Sequence, residues 1–415
     1  MPQLELEIDP TRLWRMHEEL AQLGATPRGG VNRQALTEAD ADARKLFQNW
    51  AKDAGCTVTT DAAGNLFARL DGREPTLPAV ATGSHLDTQP TGGRFDGAYG
   101  VLAGLEVLNA LKQTNITPLR PIEVVAWSNE EGTRFDHSGS AAFAGKVPLQ
   151  DLYDATDTDG IRYEDALTMI SAKGTAPCGG RRFDSFFEAH IEQGPILEAA
   201  GLSIGIVRGA RAQTRFVFTI TGEESHAGTT PMDIRKDALA AAARLVIALE
   251  QIGREHPPQG VCTVGAMEVY PNSRNVVSGS VRFWVDLRHP SDEGIASMTA
   301  AIDQAASRVG EECPVAIDHR VLDQEGAIEF NATLISLLEH KARELGLPAM
   351  DIFSMAGHDA CYVSDLQPTA MIFVPCERGL SHNELENAKP EDLADGARVL
   401  AAAILDRAMT ADPIQ

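Results

Sequence analysis

The chain has 415 residues, enough for two domains and a large core, and its content of 43% apolar, 23% charged and 6% aromatic residues is typical of a globular enzyme. Its formal net charge of -23 argues against a nucleic-acid-binding surface, which is usually basic. Six dispersed cysteines without a CxxC pair, an N-terminus without an apolar signal core, and no apolar run near the roughly 20 residues of a membrane helix favour a cytoplasmic protein.

Hydrophobic periodicity predicts an N-terminal helical layer, followed by strands and helices that alternate. The elements predicted in this part are, in chain order, helices at 11–23 and 39–54, a strand at 79–84, a helix at 100–113, a strand at 122–127, a helix over ATLISLLEHKAREL, a strand at 369–374 and a closing helix that begins at Pro390. Short apolar strands that alternate with helices are typical of an α/β fold, in which a mostly parallel sheet carries helices on both faces.

A second part of the chain, from about residue 212 to 325, has a different pattern. Its predicted elements are the strand RFVFTITG, the helix IRKDALAAAARLVIALEQIG, the strands VCTVGAMEV and VVSGSVRFWVDLRH, a helix at 291–309 and a strand at 314–319. This β-α-β-β-α-β order is that of a split βαβ unit. The sequence therefore predicts a discontinuous larger domain of residues 1–211 and 326–415, with an inserted α+β domain of residues 212–325.

The segment GSHLDTQPTGGRFDG (83–97) begins where the predicted strand 79–84 ends. In an open α/β sheet, ligands bind just beyond the carboxyl ends of the strands, which is where His85 and Asp87 lie. A carboxylate close to a histidine can accept the N–H of a metal-bound imidazole, and Asp96 follows in a glycine-rich loop that can fold back on the same spot. Taken alone, the segment is also compatible with an ordinary polar surface loop.

A second acidic segment, SNEEGTRF (128–135), begins at the end of the predicted strand 122–127. Of its adjacent glutamates, Glu130 and Glu131, one can bind a metal while its neighbour takes a proton from a water molecule. An isolated pair of glutamates is usually part of a solvated turn. Its position beside the first segment instead favours a shared site.

Two histidines complete the candidate set, His190 in FFEAHIEQGP and His382 in ERGLSHNELE. A single loop histidine is usually just exposed, and this is expected of His17, His256 and His340. Together with the earlier segments, strand-end loops would supply five ligands, enough for two metals that share one carboxylate. Imidazole with carboxylate suits zinc, manganese, cobalt or nickel.

The motifs and their order resemble the hydantoinase/carbamoylase group of the M20 metallopeptidase-like family, which includes N-carbamoyl-L-amino-acid hydrolases, β-ureidopropionases and allantoate or ureidoglycolate amidohydrolases. The resemblance covers nearly the whole chain and rests on GSHLDTQPTGGRFDGAYGV, SNEEGTRF, EAHIEQGPILE, TGEESHAGTTPM, PNSRNVVSGSVRFWVDLRHP, GHDA and SHNELE. It implies a catalytic domain of the zinc-exopeptidase type and an inserted lid and dimerisation domain, and hence a homodimer.

The resemblance also implies a role for each candidate residue. One metal would be held by His85, Asp96 and His190, and the other by Asp96, Glu131 and His382, with Asp96 bridging the two. Glu130 would be the general base, and Asp87 would orient His85.

In the inserted domain, the resemblance implies that His226 stabilises the oxyanion and that Asn275 and Arg288 bind the substrate carboxylate. The alternation of the strand VVSGSVRFWVDLRH by itself makes Arg288 an ordinary surface charge. Further candidate contacts to the substrate are Gln193, Arg215 and His358.

The predicted function is therefore metal-dependent hydrolysis of the ureido C–N bond of an N-carbamoyl-L-amino acid to the amino acid, ammonia and CO2. Hydrolysis of allantoate or β-ureidopropionate is the nearest alternative, and an aminoacylase or dipeptidase activity is a second. A non-catalytic scaffold of the same fold is disfavoured, because it would have lost a ligand or the base, and all five ligands and Glu130 are present.

Overall fold

The computed structural model describes residues 6–257 and 260–414. Contacts divide the chain into two compact units. The first contains the N-terminal part up to Arg208, the segment Phe330–Ile352 and the chain from His358 onward; the second contains Gly209–Glu329 and Phe353–Gly357. The sequence predicts the short segment 353–357 in the larger domain, whereas its contacts place it in the second unit.

The largest sheet among the described residues has nine strands. Its strands are β1 (Thr57–Thr60), β2 (Leu66–Leu70), β3 (Ala79–His85), β4 (Ile122–Trp127), β5 (Phe183–Ile191), β6 (Ile204–Ala210), β13 (Ile328–Glu329), β14 (Ala349–Ser354) and β15 (Thr369–Val374). The order is β1-β2-β4-β3-β5-β15-β6-β13, with β14 beside β6. The four strands β4, β3, β5 and β15 run parallel, and antiparallel pairs flank them on both sides. The predicted α/β fold with a mostly parallel sheet is confirmed.

Helices surround this sheet, and the closing helix begins at Pro390 as predicted. They are α1 (Pro10–Ala21), α2 (Glu38–Asp53), α3 (Ala98–Thr114), α4 (Gly139–Phe143), α5 (Leu149–Asp154), α6 (Tyr163–Met169), α7 (Ile196–Ala200), α10 (Ala332–Glu344), α11 (Asp359–Val363) and α12 (Pro390–Ala408). Proline stands in the first turn of α1 and α12, where its missing N–H is not needed. The carboxylate of Asp9 caps α1 by accepting the N–H of Thr11 and Arg12.

The parallel strands bring their carboxyl ends to one edge of the sheet. Strands β3, β4, β5 and β15 are buried along their full length, as expected for parallel strands covered on both faces. His85 at the end of β3 lies opposite Trp127 at the end of β4. His190 near the end of β5 lies opposite Phe373 of β15. Residues that follow these strands are therefore close in space although they are distant in sequence.

The second unit has the predicted β-α-β-β-α-β order. Its elements are β7 (Ala212–Thr221), β8 (Ser225–His226), α8 (Ala238–Glu255), β9 (Val261–Tyr270), β10 (Val276–Val277), β11 (Ser280–His289), α9 (Asp292–Glu312) and β12 (Ala316–Glu325). Four strands form an antiparallel sheet in the order β12-β7-β11-β9. The predicted strand VVSGSVRFWVDLRH is interrupted, because Val276 and Val277 pair with β8 in a separate two-stranded sheet.

The expected exposure of His17 is wrong. This side chain is buried on α1 and packs against two aromatic rings, with centroids 5.0 Å from Phe95 and 6.2 Å from Tyr99. Burial is the main cause that lowers the pKa of His17 to about 3, because the charged imidazolium is disfavoured away from water.

Acid should therefore destabilise the fold through His17. Unfolding returns its pKa to the ordinary value near 6.5, so below that pH the unfolded chain binds a proton that the folded chain does not, and stability falls by ~1.4 kcal/mol per pH unit. Between pH 7 and 5, we expect the free energy of unfolding of His17→Leu to fall by about 2 kcal/mol less than that of the wild type. The measurement is urea unfolding at each pH. The control is the same substitution at the exposed His340. Equal losses of unfolding free energy in the wild type and in His17→Leu would contradict the prediction.

None of the helices in the described residues combines the length and the apolar character that crossing a bilayer requires.

Candidate metal centre

Three buried side chains meet where strands β3 and β5 end. His85 is the last residue of β3, His190 is the penultimate residue of β5, and Asp96 lies in the loop before α3. Their ligand atoms lie within 4.8 Å of one another. Asp96 Oδ1 is 3.2 Å from His190 Nε2 and 3.8 Å from His85 Nε2. The prediction that all ligands lie on loops thus differs from the structure, which places these two histidines within strands.

A second group of ligand atoms shares Asp96 with the first. It consists of Asp96, Glu131 and His382, again within 4.8 Å of one another. His382 Nε2 is 3.4 Å from Asp96 Oδ2 and 3.3 Å from Glu131 Oε2. The two oxygens of Asp96 therefore face different ligand groups.

Main-chain carbonyls orient both histidines of the first group. His85 Nδ1 is 2.9 Å from the carbonyl oxygen of Asp87, and His190 Nδ1 is 2.9 Å from that of Ile191. A carbonyl oxygen can only accept, so each ring carries its proton on Nδ1 in these bonds. In the neutral form of each ring the lone pair is then on Nε2, the nitrogen nearest Asp96, as metal coordination requires.

The carboxylate of Asp87 holds the neighbouring acidic segment. Its two oxygens accept the main-chain N–H groups of Glu130 and Glu131, at 3.3 and 3.1 Å. Its Oδ1 is 3.9 Å from His85 Nδ1, too far for a hydrogen bond. Asp87 thus contacts His85 through its carbonyl, while its carboxylate positions the two glutamates.

Glu130 lies beside the first ligand group without belonging to either group of the described residues. Its Oε2 is 3.5 Å from His85 Nε2. Burial, followed by the charges of Asp359 and Glu131, raises the pKa of Glu130 well above its ordinary value. Burial and the charge of Asp96 also raise the pKa of Glu131. These carboxyl groups are therefore costly to ionise without additional positive charge.

The donor set fits divalent cations. Four carboxylates cluster here, those of Asp87, Asp96, Glu130 and Glu131. Among the described residues, their ion pairs are with imidazoles and not with lysine or arginine. Burial opposes ionisation of Asp96, but His190, His85 and His382 lower its pKa below the ordinary range. Three imidazoles with buried carboxylates suit zinc, manganese, cobalt or nickel, and a cation would supply the charge that the cluster lacks.

Amide and glycine residues complete the wall of the site. Gln89 donates to Glu131 Oε2 at 2.7 Å, and Gln193 donates to Asp96 Oδ2 at 2.9 Å. Gln193 has a positive φ of 58°, which is uncommon for a residue with a side chain. Gly97 also has a positive φ, and a Cβ there would lie 2.3 Å from the His85 ring, so only glycine fits.

His358 is buried next to the first group, with its ring 4.6 Å from that of His190 in a T-shaped contact. It also forms a third possible ligand group with Glu188 and His190. Glu188 accepts the hydroxyl of Ser84 at 2.6 Å and the N–H of Ala360 at 2.8 Å. These bonds make Glu188 a link between β3, β5 and α11.

Sequence reasoning missed several residues that contact the ligands or their loops. They are Gln89, Glu188, Asp359, Ser381 and Glu386. Each lies inside a motif that had been singled out, in HLDTQ, EAHIE, GHDA or SHNELE. The signal was therefore present, but polar residues in these motifs could not be ranked without their partners.

Four predicted residues belong to the second unit. His226 is exposed, and its Nδ1 accepts the N–H groups of Gly228 and Thr229 at 3.0 and 3.2 Å. Asn275 lies between β9 and β10 and accepts the hydroxyl of Ser273 at 3.1 Å.

Arg288 and Arg215 share one carboxylate in this unit. Arg288 bonds Asp286 through Nε and one terminal nitrogen, at 2.8 and 3.1 Å, and donates to the Met355 carbonyl at 2.7 Å. Arg215 lies 3.3 Å from Asp286 and 3.5 Å from Asp323. Both arginines are thus partly neutralised.

Comparison with known proteins assigns the family. A model described as peptidase family M20/M25/M40 matches residues 81–406. The chain belongs to this family. The predicted resemblance to the M20 family is confirmed. The M20 family is metal-dependent, in agreement with the candidate ligand groups.

Relatives of this M20 chain cover nearly its full length. It is 41% identical over 403 residues to a protein from Rhizobium meliloti named N-carbamoyl-L-amino-acid amidohydrolase, covering 97% of each chain. It is 34% identical to a protein from Escherichia coli named allantoate amidohydrolase, covering 95% of this chain and 96% of the other. A crystal structure of an amidase of the hydantoinase/carbamoylase family from Burkholderia multivorans has a TM-score of 0.94 and 47% identity, covering 99% of this chain and 100% of that one. These names bear out the prediction of an amidohydrolase of the carbamoylase group.

Proposed function

We propose that the protein hydrolyses the ureido C–N bond of an N-carbamoyl-L-amino acid, releasing the amino acid, ammonia and CO2. One observation carries the hydrolytic chemistry: the two oxygens of Asp96 face separate ligand groups, with Glu130 beside them. The name of the Rhizobium meliloti relative supports the N-carbamoyl substrate.

Two divalent cations, of zinc, manganese, cobalt or nickel, are proposed to bind here. One would be held by His85, Asp96 and His190, and the other by Asp96, Glu131 and His382. When bound, they would polarise the ureido carbonyl and lower the pKa of the attacking water.

Glu130 is proposed as the general base. It takes one proton from the water that adds to the ureido carbon, and it delivers that proton to the amino-acid nitrogen as the C–N bond breaks. The carbamate that remains decomposes to ammonia and CO2. Asp87 supports this role because its carboxylate holds the main-chain N–H groups of both glutamates.

His226 is proposed to stabilise the oxyanion that forms on the ureido oxygen. Its Nδ1 accepts two main-chain N–H groups, so the neutral ring carries its proton on Nε2. That N–H is in the correct tautomer to donate to a developing negative charge.

Arg288 and Asn275 are proposed to bind the substrate carboxylate. Among the described residues, the bonds of Arg288 use three of the five N–H groups of a guanidinium. The remaining two lie on separate terminal nitrogens and can bind both oxygens of a carboxylate. Further substrate contacts are proposed for Gln193, Arg215 and His358.

Arg288→Lys should raise KM for an N-carbamoyl amino acid by about 10- to 100-fold, the value of one or two charge-assisted hydrogen bonds, with little change in kcat. Lysine keeps the charge beside Asp286 but cannot form a two-pronged contact. Arg282→Lys on the same strand, where the guanidinium lies over Trp284, is the matched control. An unchanged KM in Arg288→Lys would remove this residue from the carboxylate site.

The second unit is proposed to serve as the lid and as the contact of a homodimer. Strand β9 lies at the edge of its sheet and exposes Met267 and Tyr270, while α8 exposes Leu239 and Ile247. An unpaired strand edge next to exposed apolar side chains supports pairing with a second copy. The six free cysteines support the further proposal that the enzyme works in the cytoplasm.

A substrate panel tests the proposed function. Ammonia release is measured with N-carbamoyl-L-amino acids, allantoate and β-ureidopropionate, and release of a primary amine is measured with an N-acyl amino acid and a dipeptide, each with manganese, cobalt, nickel and zinc in turn. We expect the highest kcat/KM with an N-carbamoyl-L-amino acid. Allantoate is the second candidate because of the Escherichia coli relative. Faster cleavage of the dipeptide or of the N-acyl substrate, detected by amine release, would overturn the proposal.

A further inference from the structure

Two ligand loops are joined by one buried carboxylate that has no role in the proposed chemistry. Glu386 is 2% exposed, and its Oε1 accepts the main-chain N–H groups of Phe95 and Asp96 at 2.8 and 3.1 Å. Its Oε2 lies 3.3 Å from the hydroxyl of Ser381. That hydroxyl is 2.8 Å from Asp96 Oδ2, so Asp96 is held at its main chain and at its carboxylate.

The Asp96 loop is built to admit this side chain. A Cβ at Gly93 would lie 2.0 Å from the Glu386 carboxyl carbon, so only glycine leaves room for it. Arg94 donates to the side chain of Asn387 at 3.1 Å, which adds a second link between the same two loops. The short distance between the two loops therefore results from several contacts along the segment and not from a single hydrogen bond.

The second ligand group depends most on this link. In the first group, His85 and His190 are fixed by buried strands. In the second group, His382 lies on a loop, has a side chain that is 51% exposed and has a positive φ of 54°. Glu386 and His382 belong to the same loop, so Glu386 sets the position of that loop relative to Asp96.

We propose that Glu386 is a positioning residue that holds Asp96 and the His382 loop at the spacing required to bind the second cation. This inference rests on the proposed two-metal function. Groups that orient metal ligands typically change metal affinity by about 10- to 100-fold when they are removed. The effect should fall on the site formed by Asp96, Glu131 and His382.

The test is a titration of the full-length, metal-depleted protein with Co²⁺. Binding is measured by calorimetry and by the visible absorption of cobalt. In Glu386→Ala we expect one of the two Kd values, that of the site formed by Asp96, Glu131 and His382, to rise by about 10- to 100-fold while the other changes by less than about threefold. Glu386→Gln should behave like the wild type, because its amide oxygen can accept the same two N–H groups. Excess Co²⁺ should restore most of the turnover of Glu386→Ala.

Glu106→Ala separates positioning from general destabilisation. Glu106 is equally buried and accepts the N–H of Asp9 and the guanidinium of Arg12, away from the ligand loops. It should lower Tm without changing either Kd. If Glu386→Ala does not fold, Glu386→Asp replaces it, since the shorter carboxylate cannot span both loops.

Two results would overturn the inference: unchanged cobalt affinities in the Glu386 variant, or the same weakening in Glu106→Ala. A wild-type protein that binds fewer than two Co²⁺ per chain would instead refute the two-metal function, and the inference with it. The wild-type titration therefore distinguishes the two failures.

Discussion

Glu130→Gln is expected to lower kcat by about 10²- to 10⁴-fold, the usual contribution of a general base, while the metal content of the protein stays the same. Glutamine keeps the size and the main-chain hydrogen bond to Asp87 but cannot take a proton. Glu130 does not belong to either ligand group in the described residues, so its replacement should leave the cations bound. The measurement is ammonia release together with elemental analysis of the same preparation.

Glu123→Gln is the matched control for that experiment. Glu123 is also buried and lies on β4, where it accepts hydrogen bonds from Arg69 and Arg181. Its loss should affect stability far more than kcat. Near-normal turnover in Glu130→Gln, with both metals present, would show that another group is the base.

Asp96→Asn is expected to have the larger effect on metal binding. One oxygen of Asp96 faces His85 and His190, and the other faces His382. The amide of asparagine provides only one oxygen and no charge, so it cannot serve both groups. We expect metal content to fall to one cation per chain or fewer. Because metal ions contribute several kcal/mol of transition-state stabilisation, kcat/KM should fall by about 10³-fold or more.

The control is Asp184→Asn, which changes a buried carboxylate paired with Arg407 at 2.8 Å. That substitution should lower the free energy of unfolding and leave the metal content unchanged. Asp96→Asn protein that retains two cations and a kcat/KM within tenfold of the wild type would show that Asp96 does not bridge.

Strand β5 shows why part of the fold was not predicted. The sequence predicts His190 on a strand-end loop, and Asp184, Glu188 and His190 are polar residues within the segment. In the structure the strand is buried throughout, since Arg407 pairs with Asp184 and Ser84 donates to Glu188. These partners lie far away in the sequence, so local periodicity could not reveal them.

The break between β10 and β11 has a similar origin. The sequence predicts one strand over VVSGSVRFWVDLRH, although Gly279, a residue type depleted in strands, lies at the break. Pairing of Val276 with His226 decides where the first part goes. Strand pairing is a tertiary property, and the same alternation is compatible with either sheet.

The sequence by itself determined the α/β order of elements, the two-part organisation and the identity of the candidate chemistry, because apolar periodicity and residue type are local properties. It brought together His85, Asp96, Glu131, His190 and His382 as candidates through their motifs. Parallel strands end at a common edge, so residues that follow such strands are predicted to meet even when they are far apart in the chain.

Only the tertiary structure decided which atom faces which. The His85 ring is oriented by the main-chain carbonyl of Asp87 and not by its carboxylate. Because every residue has a main-chain carbonyl, no pattern of side chains can predict such a hydrogen bond. The same holds for the two oxygens of Asp96 and for Glu386, whose partners are main-chain N–H groups. Side-chain identity predicted the ligands, and the path of the backbone determined their geometry.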